Sequence, residues 1–195
     1  MVTSGNMCRT ANGHDINFLE DYTGKIRDIL DKGETKFEEL YTSAVLKDGR
    51  GNICPVTIIL PTLAMESRIA AEKENENSDE ARFSRFMRML ETKISEAKDM
   101  LIERYHYIAS QKPESARFMY ENHIMAGYEE NKGIESALQH GTLSLGQIGI
   151  AETLEILVGT DQTTEKGMYY AKQIEQLFKD KCAEYKDKYR LNYGV

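Results

Sequence analysis

The sequence predicts a predominantly helical α/β fold. Most apolar residues recur at helical spacing, which predicts amphipathic helices. Two short runs are instead typical of strands: residues 53–60 are rich in β-forming residues, and residues 191–195 alternate in polarity. Both have few predicted strands to pair with. Many helices with two isolated strands are typical of a segment cut from an α/β barrel. We therefore expect the 195 residues to form a single segment, 1–195, of a larger domain.

The first quarter of the chain is predicted to contain two helices. Residues 1–13 are turn-rich, and Asp15 can cap a helix that ends at about Lys32, just before a glycine. A shorter helix follows at 36–46. The segment 47–52 combines Asp-Gly and Gly-Asn pairs, so it is predicted to be a turn.

The strand predicted at 53–60 leaves this turn. Pro55 lacks an amide donor, so it should lie at the start of the strand or on an unpaired edge. The continuous apolar run suits a strand that is covered on both faces. The charged stretch 66–80 is predicted to be a solvated insertion or a frayed helix start, not a site.

Helical spacing returns after this charged stretch. A long amphipathic helix is predicted from Phe83 to about Gln111, followed by an irregular segment at 114–133. Shorter helices are expected at 134–139 and 147–158. Thr163 or Thr164 should open a last long helix, whose expected buried residues are Met168, Ala171, Ile174, Leu177, Phe178, Tyr185 and Tyr189.

Composition and charge exclude several classes of function. The chain is 41% apolar and 29% charged, which is ordinary for a globular protein. Its formal net charge of −7 argues against a nucleic-acid surface. The longest apolar run, 56–60, is too short to cross a bilayer, and the first residues do not resemble a secretory leader. We therefore expect a soluble cytoplasmic protein that binds neither nucleic acid nor membrane.

The spacing of the three cysteines predicts neither a disulfide framework nor a zinc site. Cys8, Cys54 and Cys182 are widely spaced, with no Cys-x-x-Cys pair, so they predict neither a disulfide scaffold nor a metal site. Cys54 and Cys182 are expected to be buried thiols. A protease nucleophile would need a partner histidine, but no recognisable signature surrounds His14, His106, His123 or His140.

The segment 140–152 is the most informative part of the chain. It contains three glycines, at 141, 146 and 149, and an interior glycine costs a helix or strand roughly 0.5–1 kcal/mol relative to alanine. Glycines this close together indicate that backbone approaches something closely. Both a tight packing contact and a ligand site remain open.

Three segments resemble one enzyme family. Residues 141–152, Gly-Thr-Leu-Ser-Leu-Gly-Gln-Ile-Gly-Ile-Ala-Glu, are similar to a signature of the anaerobic, class III ribonucleoside-triphosphate reductases, which are glycyl-radical enzymes. Residues 8–10, Cys-Arg-Thr, resemble the family's Gly-Cys-Arg-(Ser/Thr) loop, with Met7 in place of the usual glycine. The turn and strand at 49–61 resemble the family's Gly-Arg-x-Asn turn and the strand that ends in Leu-Pro.

The resemblance implies a ten-stranded α/β barrel and a role for several residues. Cys8 would carry the thiyl radical, and Asn52 would be the active-site asparagine that orients substrate. Glu152 would cap or pair within the glycine segment. Substrate contacts would come from Arg9, Thr10, Gly146 and Gly149.

The resemblance also implies cofactors and partners. The family reduces ribonucleoside triphosphates to deoxyribonucleotides for DNA replication, usually with formate as reductant. Its glycyl radical is made by an iron–sulfur activase that uses S-adenosylmethionine. The family works as a homodimer, with a zinc site and with ATP and deoxynucleotide effectors. The sequence lacks the nucleotide-sensing domain, the zinc cysteines and the glycyl-radical loop, so we expect a fragment that holds no cofactor and is inactive alone.

Two other functions are compatible with the sequence. The long amphipathic helices and the Met- and Tyr-rich faces would also suit a non-catalytic helical interaction module. A different glycyl-radical enzyme, such as an acyl-lyase, is a weaker alternative, because Cys8 has no neighbouring cysteine.

Overall fold

The computed structural model describes Asp15, Asn17 and residues 51–75, 78–122, 124–125 and 127–195. This part of the chain is predominantly helical and contains a three-stranded sheet, which confirms the α/β class. Apart from Asp15 and Asn17, the helices predicted at 15–32 and 36–46 lie outside the described residues. The ten-stranded barrel stays a prediction, because three strands do not define a barrel.

The described elements follow one another in a simple order. The strands are β1 (Asn52–Ile59), β2 (Thr142–Ile148) and β3 (Asn192–Gly194). The helices are α1 (Leu60–Lys73), α2 (Asp79–Ala109), α3 (Arg117–Glu121), α4 (Glu135–Leu138), α5 (Ile150–Val158) and α6 (Glu165–Tyr189). Short 3-10 turns occur at Pro113–Ala116 and Glu130–Lys132. No described helix combines the length and the apolar character that crossing a membrane requires.

The sheet has the strand order β1-β2-β3. β2 and β3 are parallel, with Thr142 beside Asn192, Leu143 beside Tyr193 and Ser144 beside Gly194. The first four residues of β2 are buried because this strand has a neighbour on each side. Among the described strands β1 lies at the edge, which is a position where Pro55 can sit inside a strand.

The segment before α5 departs from the sequence prediction. A helix was predicted over 147–158, but residues 142–148 form β2 and α5 begins only at Ile150. Gly149 separates the two elements with a φ of 87°, a left-handed conformation that favours glycine. The prediction of a helix start at Gln147 was therefore wrong, and the central strand of the described sheet was missed.

The chain divides into two compact units. The first contains Asp15, Asn17 and residues 51–54, 102–144 and 185–194. Its buried apolar residues include Tyr105, Tyr120, Ile134, Leu138, Leu143, Tyr185 and Tyr193. The rings of Tyr185 and Tyr193 meet edge to face, with their centroids 5.5 Å apart.

The second unit contains residues 55–101, 145–184 and 195. Within it α1 packs against α5, and the Phe83 ring of α2 lies 4.6 Å from the Tyr170 ring of α6. Its fully buried side chains include Leu60, Phe86, Leu90, Ile94, Leu145, Leu154, Leu157, Ile174 and Phe178. These residues form an apolar core between helices and strand ends.

The two long helices confirm the periodicity argument. α2 begins four residues before the predicted start, and α6 begins directly after Thr164, whose side-chain oxygen accepts a hydrogen bond from the Gly167 amide. Of the expected core residues of α6, Met168 is instead 42% exposed, and Leu177 and Tyr189 are half-buried. Residues 66–73, within the stretch predicted to be a solvated insertion or a frayed helix start, form the second half of α1. Ser67 and Ala71 of this stretch are buried, and most of its charged side chains face solvent.

Candidate functional site

Asn52 lies at the amino end of β1 and opens onto a pocket of about 170 Å³ in the first unit. The pocket wall is mostly apolar and consists of Gly51, Asn52, Ile53, Ile108, Met125, Ala137, Leu138 and Gly141. The Asn52 amide is the one polar side chain among these residues. Because a neutral amide donates and accepts hydrogen bonds, it can orient a hydroxyl-bearing ligand without adding charge.

The turn before β1 meets the first glycine of the glycine segment. The Thr142 amide donates a hydrogen bond of 3.0 Å to the Gly51 carbonyl. A Cβ atom at Gly141 would lie 2.5 Å from the Ile53 side chain and 3.0 Å from the Gly51 carbonyl oxygen, so a larger residue would require these neighbours to shift. Residues 51–53 and 141–142, which belong to the two predicted motif segments, are therefore neighbours in the first unit.

Gly146 and Gly149 have close neighbours in the second unit. A Cβ atom at Gly146 would lie 2.8 Å from Thr57 Oγ1, and one at Gly149 would lie 2.5 Å from the Pro61 ring. Glu152 lies in the first turn of α5, where an acidic side chain interacts favourably with the helix dipole. Close packing at both positions, together with the left-handed φ of Gly149, accounts for these glycines, and the substrate contacts expected of them stay a prediction.

A buried polar network lies in the first unit. The Asp15 carboxylate accepts hydrogen bonds from His140 Nδ1 at 3.1 Å, from Asn192 Nδ2 at 2.9 Å and from the Asn17 amide at 2.9 Å. The Asn192 and Asn17 side chains also donate to the Gln139 carbonyl, at 3.1 and 2.6 Å. Asp15, His140 and Asn192 are 7%, 5% and 2% exposed. We call these four side chains, with the Gln139 carbonyl, the Asp15 network.

The hydrogen bonds indicate which nitrogen of His140 carries its proton. The Gln139 side-chain amide donates to the Ser136 carbonyl and lies 3.3 Å from His140 Nε2. That geometry makes Nε2 an acceptor, which assigns the proton to Nδ1, facing Asp15. Gly127 has a φ of 76°, and a Cβ atom there would overlap the His140 ring. The His140 ring is therefore held by Asp15 at Nδ1 and by the Gln139 side chain at Nε2.

Burial changes the pKa of several described side chains in the first unit, including Cys54 and Tyr105. Burial raises the pKa of the Cys54 thiol, and the nearby Arg104 guanidinium partly opposes this effect. Burial also raises the pKa of the Tyr105 hydroxyl to about 12, with a smaller contribution from Glu135. Cys54 therefore stays a protonated thiol at neutral pH, and its 4% exposure confirms the predicted buried state. Cys182 is also buried, as predicted.

The structure describes Asn52, Gly146 and Gly149 among the predicted site residues, and the functional roles expected of them stay predictions. Cys8, Arg9 and Thr10 lie outside the described residues, so their roles stay predictions. The Asp15 network was missed, because Asp15 was interpreted as a helix cap and His140 carried no motif. The described residues contain no cluster of three or more histidine, cysteine or acidic side chains arranged to hold a metal ion.

A comparison with protein families identifies the chain. The family model described as anaerobic ribonucleoside-triphosphate reductase matches residues 5–195. The chain belongs to this family. A search of curated proteins found no significant match. Family membership agrees with the resemblance carried by residues 141–152 and places the Asn52 pocket in a region of the ribonucleotide reductase type.

Proposed function

We propose that this chain is the part of an anaerobic ribonucleoside-triphosphate reductase in which Cys8 and Asn52 act on the substrate ribose. The contact between the two motif segments is the main support. The Thr142 amide bonds to the Gly51 carbonyl, and Asn52 and Gly141 line one pocket. Family membership favours this function over the helical interaction module and over an acyl-lyase.

The proposed reaction consumes formate as a two-electron reductant. A ribonucleoside triphosphate, formate and one proton give the 2′-deoxyribonucleoside triphosphate, carbon dioxide and water. The family's glycyl radical, generated by the activating enzyme, supplies the oxidising equivalent that makes the Cys8 thiyl. Cys8 takes the hydrogen atom from C3′ and forms an S–H bond, and the protonated 2′-hydroxyl then leaves as water. Formate supplies the hydrogen and two electrons that form the new C–H bond at C2′, and it leaves as carbon dioxide. At the end of the cycle the Cys8 S–H bond returns its hydrogen atom to C3′.

Asn52 is proposed to position the ribose. The pocket volume of about 170 Å³ is below the ~300 Å³ at which sites for drug-sized ligands begin, so a whole nucleotide does not fit within it. Its described lining residues carry no charge, which suits a sugar better than a triphosphate. We therefore assign the ribose hydroxyls to the Asn52 amide and the phosphates to residues beyond this pocket.

The experiment uses the complete reductase that contains this chain, activated anaerobically. Cys8→Ser should abolish deoxynucleotide formation while electron paramagnetic resonance still detects the glycyl radical. Asn52→Ala should lower kcat about 10²- to 10³-fold, the loss typical of one oriented hydrogen-bonding group. Cys54→Ala is the matched control, because this buried thiol has no assigned role, and it should keep its activity. Deoxynucleotide formation by Cys8→Ser at the wild-type rate would refute the proposal.

A further inference from the structure

The turn between α4 and β2 forms part of the wall of the Asn52 pocket. Leu138 is the last residue of α4, Gly141 directly precedes β2, and both residues line the pocket. We call residues 138–141 the wall turn. The position of the wall turn therefore sets the shape of the pocket on this side.

The wall turn also contacts the backbone segment that carries Asn52. The Thr142 amide, directly after the turn, donates a hydrogen bond of 3.0 Å to the Gly51 carbonyl. Gly141 packs closely against Ile53, since a Cβ atom there would lie 2.5 Å from the Ile53 side chain. A displacement of the wall turn would therefore shift the residues on both sides of Asn52, and its amide group would move with them.

Side chains from distant segments hold the two middle residues of the wall turn. The Gln139 carbonyl accepts hydrogen bonds from Asn192 Nδ2 at 3.1 Å and from Asn17 Nδ2 at 2.6 Å. His140 Nδ1 lies 3.1 Å from one oxygen of the Asp15 carboxylate, and the other oxygen accepts a hydrogen bond of 2.9 Å from Asn192 Nδ2. The Asp15 network therefore holds the wall turn at both of these residues.

Asn192 is the central residue of this arrangement. Its side-chain nitrogen carries two hydrogens, so it can donate to the Gln139 carbonyl and to Asp15 at the same time. Asn192 is 2% exposed, and it is the register partner of Thr142 in the neighbouring strand. Because water does not readily replace a lost partner at a buried site, removing this side chain leaves both acceptors less satisfied. The wall turn then loses its side-chain attachment to β3.

The four side chains of the Asp15 network are not among the described residues that line the pocket. We infer that Asn192 and Asp15 position the wall turn, and through it the Asn52 amide, for contact with the ribose. The inference rests on the proposed function, because it requires that Asn52 acts on the substrate. Asn192 and Asp15 are positioning residues, since they act through the segment that they hold. Misplacing reacting groups by about 1 Å can cost on the order of a hundredfold in rate.

The first test removes the Asn192 side chain in the complete reductase, activated anaerobically. We expect Asn192→Ala to lower kcat about 10- to 100-fold, with a nearly unchanged yield of the glycyl radical. Asn122→Ala is the matched control in the first unit. Asn122 also donates from Nδ2 to a backbone carbonyl, that of Phe118 at 2.9 Å, but it is exposed to solvent and should be dispensable. Wild-type kcat in a folded Asn192→Ala protein would overturn the inference.

A double-mutant cycle shows whether Asn192 acts through Asn52. If it does, its loss has little left to disturb once the Asn52 amide is gone. In an Asn52→Ala background, Asn192→Ala should therefore lower kcat by less than about threefold. A residue that only stabilises the fold would cause the same loss in both backgrounds, so equal losses would contradict the inference.

A further readout does not depend on turnover. In the unactivated protein, hydrogen exchange followed by mass spectrometry would report on the peptide that covers residues 139–145. Its amides include that of Thr142, which bonds to the Gly51 carbonyl. Exchange of this peptide should become several-fold faster in Asn192→Ala and stay unchanged in Asn122→Ala, while peptides from α2 report on global unfolding. Unchanged exchange in Asn192→Ala would overturn the inference.

A milder substitution is available if Asn192→Ala does not fold. Asn17→Ala removes the bonds from Asn17 Nδ2 to the Gln139 and Arg190 carbonyls and keeps the backbone amide in place. We expect it to lower kcat several-fold, with little further effect in the Asn52→Ala background. An Asn17→Ala protein with wild-type kcat and wild-type exchange of the same peptide would then overturn the inference.

The outcomes distinguish the inference from the proposed function. If Cys8→Ser and Asn52→Ala are impaired while Asn192→Ala is fully active, the positioning role fails and the proposed function stands. If Asn52→Ala is fully active, the proposed contact with the ribose fails, and the inference that depends on this contact fails with it.

Discussion

The three glycines of segment 140–152 each face a different side chain. Gly141 meets Ile53, Gly146 meets Thr57 and Gly149 meets Pro61. Every one of these neighbours belongs to β1 or to the first turn of α1. The sequence predicted that the backbone is closely approached at these positions. It could not identify the approaching residues, because a glycine indicates only that there is no room for a side chain.

Gly146→Ala tests the packing role at this scale. The new Cβ would lie 2.8 Å from Thr57 Oγ1, so we expect a loss of about 1–3 kcal/mol in the free energy of unfolding, measured with urea. Adding Thr57→Ala removes that oxygen and should restore most of the loss, with Thr57→Ala alone as control. A Gly146→Ala protein as stable as wild type would contradict the packing role. Restored stability without restored activity would support the substrate contact that the resemblance implies.

The Asp15 network shows a limit of sequence reasoning at the residue scale. Asp15 and His140 are 125 positions apart, and neither carries a local pattern that marks burial. One signal was present: His140 directly precedes the glycine segment, where a backbone constraint was already predicted. A polar residue next to such a constraint is a reasonable candidate for a buried hydrogen-bonding role.

Among the elements, α2 and α6 were predictable because their apolar spacing continues over many turns. β2 was not, because its buried residues follow one another without alternation and Gly146 lowers its strand propensity. In the described sheet β2 lies between β1 and β3, and hydrogen bonds to these two strands stabilise it despite its low strand propensity. β3 was predicted from its alternating pattern, and its parallel pairing with β2 supplies the partner that the sequence did not reveal.

Tyr105 in α2 makes the free energy of unfolding of the protein dependent on pH. Tyrosine in the unfolded chain ionises near pH 10, whereas burial raises the pKa of Tyr105 to about 12. Its contribution to folding is therefore complete below pH 10 and is lost as the pH rises towards 12. We expect this loss to be on the order of 2 kcal/mol.

The measurement compares wild type with Tyr105→Phe, which cannot ionise. Urea unfolding at about pH 9 and about pH 11.5 gives the free energy of unfolding of each protein. The wild type should lose more stability between these conditions than the variant. An identical loss in both proteins would show that Tyr105 does not retain its proton in the folded state.

For the whole molecule, sequence motifs identified the family before any contact was known. The family match over residues 5–195 confirms the resemblance that residues 141–152 carried most specifically. The fold class was predictable from periodicity, whereas the division into two compact units was not. Helical periodicity predicts which face of a helix is buried, but it does not predict which distant segment packs against that face. The division into units depends on those distant contacts.

The central claim is that Cys8 reaches the Asn52 pocket, and disulfide trapping tests it most directly. Asn52→Cys would be introduced into the complete reductase together with Cys54→Ala and Cys182→Ala. The protein would then be oxidised mildly, and its unreduced peptides would be analysed by mass spectrometry. The same oxidation of a protein with Asn52→Ala is the control. A disulfide forms readily only when the two Cα atoms are within about 7 Å. We predict a disulfide between Cys8 and the introduced thiol. Its absence, with both thiols open to alkylation, would contradict the account.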